Sequence, residues 1–255
     1  MKLPFLAVIC LVSLISSVVC AEEPESLTAP ELAAKLASAV QDGNSAARAR
    51  FSVQPSRGGE ATVLQVQIKS HRDAEGSAVA YEVQWPAGRK GERFVISQRG
   101  TGPAKGASYI PPDRRESITS GQLLGSLLGT DLAFADAVEN FFLWKNQTFC
   151  GREQIGGTDC VILESKPGAG DSSPYGKVRS WIDPRRMVAL RVEKSDKSGR
   201  ILRRIDSSQI VKDDVGRYVP ATMTVRRASG ESVTEIDGSN LRHDVRFAPA
   251  DFEIP

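Results

Sequence analysis

Catalysis by side chains needs a nucleophile with its base, a matched acid and base, or a set of metal ligands. This sequence offers little of any. It holds two histidines. His71 lies in a polar turn, "SHRDAEGS", and His243 lies near the C-terminus, each without a companion at catalytic or ligand spacing. There is no G-x-S-x-G elbow, no H-E-x-x-H pair and no spaced Cys/His set. The stretch "RGTGPAKG" resembles a phosphate loop only faintly, because Gly106 follows Lys105 and no Gly directly precedes it. It reads as a flexible loop. Asn146-Gln147-Thr148 matches a glycosylation sequon, a short pattern that also arises by chance. The expectation is a binding protein, not an enzyme, with no cofactor and no metal.

The N-terminus sets the compartment. Lys2 precedes an apolar run from Leu3 to Val19, followed by Cys20-Ala21-Glu22-Glu23. One positive charge, an apolar block and a small-x-small exit predict a secretory signal peptide over residues 1–21, cut after Ala21. The expected location is the periplasm. The alternative is a lipoprotein anchored through an acylated Cys20, a route disfavoured by Val19 in the position before it. No later apolar block reaches the roughly 18 residues of a membrane-spanning helix.

Of four cysteines, only Cys150 and Cys160 lie beyond the signal. An even count in an exported chain predicts a disulfide between them, across the Gly-Gly turn of "GREQIGGTD". In the chain-entropy view so short a loop stabilises by about 2.5 kcal/mol. Two buried free thiols are the alternative. The spacing suits neither a redox CxxC nor a zinc site.

Residues 22–255 read as a single domain. With 33 basic and 31 acidic side chains, and Arg pairs such as Arg203-Arg204 and Arg226-Arg227 interleaved with acids, the charge describes solvated strand faces. No nucleic-acid surface is expected. Thr28 and Glu31 form a capping box, Pro30 sits in the first turn, and Leu32, Leu36 and Val40 share a helical face up to a stop at Gly43. The period then changes to two. "TVLQVQI", "VAYEVQW" and "RFVISQ" are strands, and later so are "CVILES", "YGKVRSWI", "MVALRVEK", "RILRRIDSSQI", "RYVPATMTVRR" and "ESVTEIDGS". Short linkers rich in Asp, Gly, Ser and Pro make them antiparallel neighbours in chain order. The result is one large amphipathic sheet of about nine or more strands, and sheets of that size curl.

Something must cover the apolar face. The candidates are the helix from Thr28 and the apolar insert Ser120–Trp144, "SGQLLGSLLGTDLAFADAVENFFLW". Phe134, Val138, Phe141 and Phe142 recur at helical spacing after Asp131, which predicts a helix capped by Asp131. Gly121, Gly125 and Gly129 permit bending ahead of it. Two readings stand: a core-covering helix with a mobile lead-in, or a hinged lid. In the second, Leu123, Leu124, Leu127, Leu128, Phe134, Val138, Phe141 and Phe142 close over an apolar ligand site.

The run "YIPPDRRESI", "GSLLGTDLAFAD", "CVILESKPG", "PYGKVRSWIDPRRMVALRVEKSDKSGRILR" and "VPATMTVRRASGESVTEI" resembles the outer-membrane lipoprotein-sorting protein family. Its members are similar to the periplasmic lipoprotein carrier LolA and its acceptor LolB. The resemblance covers Tyr109 to the C-terminus and is strongest at Gly129-Thr130-Asp131 and Trp181-Ile182-Asp183. It implies a mainly β fold with a helical cap, a curved antiparallel open half-barrel of the LolA/LolB type. It also implies binding of lipid or lipoprotein acyl chains, with a membrane complex as partner and a monomeric chain. The competing expectation is a periplasmic sensor or interaction module with the same fold and no carrier role.

Overall fold

The computed structural model describes residues 27–40 and 43–255, apart from the side chains of Ser239 and Asn240. The expected signal peptide, including Cys20 and its exit at Ala21, lies outside the described residues.

The change of period marks where the one α-helix among the described residues gives way to sheet. Helix α1 spans Ala29–Val40. The Glu31 carboxylate accepts the Thr28 backbone N–H at 2.8 Å and its hydroxyl at 2.7 Å, which fixes the first turn. Leu32, Ala33, Leu36 and Ala37 are buried. Gly43 adopts a φ of 71°, a left-handed turn that only glycine enters at little cost.

Thirteen strands follow: β1 (Gly43–Pro55), β2 (Thr62–Arg72), β3 (Gly76–Trp85), β4 (Arg93–Arg99), β5 (Lys105–Ile110), β6 (Arg114–Ile118), β7 (Asn146–Ile155), β8 (Thr158–Lys166), β9 (Lys177–Asp183), β10 (Val188–Ser195), β11 (Ile201–Lys212), β12 (Tyr218–Arg227) and β13 (Ser232–His243). They form one sheet in the order β6-β5-β4-β3-β2-β1-β13-β12-β11-β10-β9-β8-β7, so β6 and β7 are its two edges. The first half of the chain meanders out to one edge and the second half returns from the other. The two halves join where β1 pairs with β13, Ala49 opposite Gly238 and Phe51 opposite Ile236. Residues 119–145, which connect edge to edge, therefore cross the concave face of the curved sheet. Connectivity itself makes this insert a strap.

The nine strands expected from alternation are all present. The four others, β1, β5, β6 and β7, carry weak patterns. The inward side chains of β1 begin with the small residues Ser45, Ala47 and Ala49, while β7 is exposed along almost its whole length.

Two expectations fail. The strap contains no α-helix after Asp131. It has 3-10 turns at Ser120–Gln122, Ala135–Ala137 and Phe141–Leu143, and an isolated bridge between Ser126 and Ala133. An amphipathic helix needs one face in water, whereas Asp131 and Asp136 point into the protein (side chains 0% and 3% exposed). Tertiary ion pairs outweigh the local helical pattern. The second failure is the disulfide: Cys150 and Cys160 are free thiols, one exposed and one buried. The ladder places Glu153 opposite Cys160 and leaves Cys150 in a bulge between Phe149 and Arg152. Two residue steps along a strand plus one strand spacing put the pair roughly 8 Å apart, beyond disulfide reach. Cys160 packs instead with Trp181, Val188 and Leu190.

Trp181 lies on the face opposite Ile182, as its position in the alternation requires. Its indole N–H donates to Glu153 at 2.8 Å. Asp183 holds the following turn by accepting from the backbone N–H of Arg185 at 2.9 Å and from the Arg186 guanidinium. The C-terminal segment is tied back across the sheet: Lys69 pairs with Asp251 at 2.6 Å, and Arg93 donates to the Ala250 carbonyl at 3.2 Å.

Candidate ligand-binding site

The concave face is filled unevenly. On β2, β3 and β4 it presents Leu64, Val66, Val79, Val83, Phe94 and Ile96, all buried. The strap packs onto them, with the Phe134 ring stacked on Phe94 at 4.8 Å. Where β1, β13 and β12 meet, the same face turns small. Ala47, Ala49, Gly238 and Ala221 leave a hollow of about 370 Å³, walled by Ile68, Val219, Met223 and Ile236. Gly238 keeps an ordinary strand conformation, and an added Cβ would meet only the Ala221 carbonyl, at 3.6 Å. Glycine is not needed there for the backbone, so its effect is to leave space. The hollow opens beside the β11–β12 hairpin, where Val211 is 44% exposed. Lys212, Asp213 and Asp214 stand at this rim.

Buried charges fasten the strap beside the hollow. The Asp131 carboxylate accepts from Arg227 at 2.8 Å, Ser232 at 2.9 Å and Thr234 at 2.8 Å. Its backbone carbonyl accepts from Arg203 at 3.0 Å. Thr130 closes the adjoining turn onto the Leu127 carbonyl at 2.7 Å, and Leu128 and Gly129 take φ values of 53° and 80°. The Gly129-Thr130-Asp131 motif is thus the pin that joins strap to sheet. Asp136 accepts from Lys194 and from the Tyr175 hydroxyl, each at 2.7 Å. Burial pushes its carboxyl up, but Lys194 and Arg203 outweigh this and hold it below the usual range. For Glu139 burial wins. Its carboxyl is pushed up to about 7, although nearby Lys194 and the Ser173 side chain pull it down.

The eight residues expected to form a lid divide. Leu123, Leu127 and Val138 are buried in the main core, and Leu128, Phe134 and Phe141 pack against it. Phe142 packs against the cluster formed by α1, Leu163 and Ile182. Leu124 is 38% exposed. None of the eight is among the residues that line the hollow. The small residues that create it escaped the sequence reading, which followed large apolar side chains. Their signal was the run of Ala and Gly at inward strand positions.

The polar candidates also resolve. His71 bonds Asn44 at 2.6 Å and Asp73 at 3.0 Å on the surface. His243, read from the sequence as lacking a companion, has a buried side chain beside Asp213 and Asp214. Ligand atoms of Asp213, Asp214 and His243 lie within 4.8 Å of one another. The Arg217 guanidinium already sits against this group, 3.0 Å from Asp213 and in contact with His243, and supplies its positive charge.

A family model described as "uncharacterized protein" matches residues 77–254. None of the curated proteins matches the sequence. Among solved structures, a DUF1329 family protein from Desulfovibrio piger superposes with a TM-score of 0.80 at 24% identity, over 88% of this chain and 95% of that one. A structure described as an outer membrane lipoprotein-sorting protein domain, from Vibrio parahaemolyticus, gives 0.77 at 21% identity, over 88% and 95%. A LolA superfamily protein from Nitrosomonas europaea gives 0.69 at 19% identity, over 90% and 99%. At these identities the likeness is one of fold, and it agrees with the curved, open antiparallel sheet expected from the sequence.

Proposed function

The chain belongs to the family whose model matches residues 77–254 and has the fold of lipoprotein-sorting and LolA superfamily structures; from this premise we propose that it is an exported periplasmic carrier that shelters acyl chains in the concave hollow. The observation that carries this reading is the hollow itself, an apolar space left by small residues on a face otherwise filled. A 16-carbon chain left in water costs roughly 12 kcal/mol, at about 0.8 kcal/mol per methylene. A carrier must bury that surface yet keep an exit, and the mouth beside the β11–β12 hairpin provides one. The strap seals the rest of the concave face, so the ligand meets one defined opening. Lipid or lipoprotein acyl chains are the cargo, and a membrane or its complex is the recipient.

The test is a titration with a fluorescent fatty-acyl probe against the wild type and Gly238→Leu. The added side chain fills the hollow without demanding a new backbone conformation. Saturable binding by the wild type and a loss of tenfold or more in a folded Gly238→Leu are expected. Absence of saturable binding in the wild type overturns the proposal.

A further inference from the structure

On the reading of the hollow as an acyl-chain site, we infer that the protein takes one acyl chain at a time, to a depth of about 13 methylenes, and so serves single-chain amphiphiles in preference to triacylated cargo. In packed hydrocarbon a methylene occupies about 27 Å³, close to the share of a water molecule in the liquid. A hollow of about 370 Å³ therefore holds about 13 of them. Even the open space reaching out through the mouth is about 910 Å³. Three 16-carbon chains occupy about 1,300 Å³ at the same density.

The neighbouring hollow of about 570 Å³ is lined by Arg50, Gln65, Gln67, Gln84 and Asp237 and offers a polar wall instead of an apolar one, so a second chain would have to extend along the apolar face. Phe51 and Leu64 are fully buried next along the face, and beyond them the strap is pinned through Asp131 to Thr234 and Arg227. A second chain would have to displace that buried ion pair. The rim does not select a head group by charge. Lys212 and the part-exposed Asp214 offer both signs at the mouth, while Asp213 is buried against Arg217, so a fatty-acid carboxylate and a zwitterionic lysophospholipid each find a counter-charge. The specificity lies in chain number and length. It arises from Ala47, Ala49, Ala221 and Gly238, which set how deep a chain can go.

The experiment is a homologous series measured on the intact exported protein. Dissociation constants are determined for fatty acids from 8 to 18 carbons, for a lysophosphatidylethanolamine, and for a triacylated lipopeptide, with stoichiometry from native mass spectrometry. Affinity is expected to rise about fourfold per methylene and then level off at about 13 carbons. One chain should bind per protein. Ala221→Leu, which adds three carbons to the wall, should move the plateau down by about three carbons, a shift that mere destabilisation does not produce. A rise that continues to 18 carbons, or a tenfold preference for the triacylated ligand, overturns the single-chain inference and leaves the carrier reading standing. Failure of every ligand to saturate overturns both.

Discussion

Replacing Asp131 with alanine tests the strap's attachment. The carboxylate is fully buried and bonded to one guanidinium and two hydroxyls. Removing one partner of a buried ion pair costs about 3–5 kcal/mol. Arg227 keeps 28% of its side chain exposed and can recover some hydration, which favours the lower end. Thr234 is completely buried and loses its acceptor, which costs about 1 kcal/mol. The expected loss is therefore about 3–4 kcal/mol. At roughly 2–4 °C per kcal/mol for a domain of this size, Tm should fall by about 6–16 °C. Asp131→Asn keeps an acceptor for the hydroxyls and should lose about half as much. Urea unfolding followed by circular dichroism gives the free energies, and hydrogen exchange locates the effect. Amides of Leu127 and Phe134, which bond to strap carbonyls, and of Leu132, which bonds the Thr130 hydroxyl, should lose protection before those of β12 and β13. Acyl affinity should change little, because the hollow lies outside the strap. A loss below about 1 kcal/mol refutes the pin. A tenfold gain in acyl affinity refutes the fixed cover and restores a lid that competes with ligand.

Glu139 gives a pH dependence of definite sign. Its folded carboxyl is raised to about 7, so its contribution is intact below the ordinary carboxyl range and is lost as pH rises through about 7, at a cost of about 3 kcal/mol when fully ionised. Asp136, held low by Lys194 and Arg203, acts oppositely and loses its contribution only in acid. Unfolding free energies at pH 5.5 and 8.5 should show the effect of Glu139→Gln about 2 kcal/mol more favourable at the higher pH, since part of the cost is already present at pH 5.5; equal effects at both would remove the buried charge from the explanation. For the cysteines, a thiol reagent applied to the unreduced native protein should titrate Cys150 alone. Cys160 should react only after unfolding. A protein without titratable thiols when unfolded would reinstate the disulfide.

The sheet was legible because period-two alternation is a local signal. Wherever one face is buried and the other wet, as in "TVLQVQI" or "TMTVRR", the strand announced itself. The edge strands β6 and β7 were not legible because an edge has little to bury. The strap was recognised as a cover but given the wrong local structure. Helical spacing of Phe134, Val138 and Phe141 is visible in the sequence, while the partners of Asp131 at Arg227 and Thr234 lie about 100 residues away and become neighbours only in the fold. The Cys150–Cys160 hairpin was read correctly as a hairpin. A bulge at Gly151, with φ of 109°, shifted the register away from bonding distance. The hollow was least legible of all, since it is made by what Ala49, Ala221 and Gly238 lack.

The most direct test of the carrier account is native mass spectrometry of the protein extracted from its own cells under conditions that keep lipid bound, with Gly238→Leu prepared in parallel. The account predicts an acyl-bearing adduct at one per chain on the wild type and its loss from the filled variant. A wild-type protein free of lipid, or an adduct retained equally by Gly238→Leu, would contradict it.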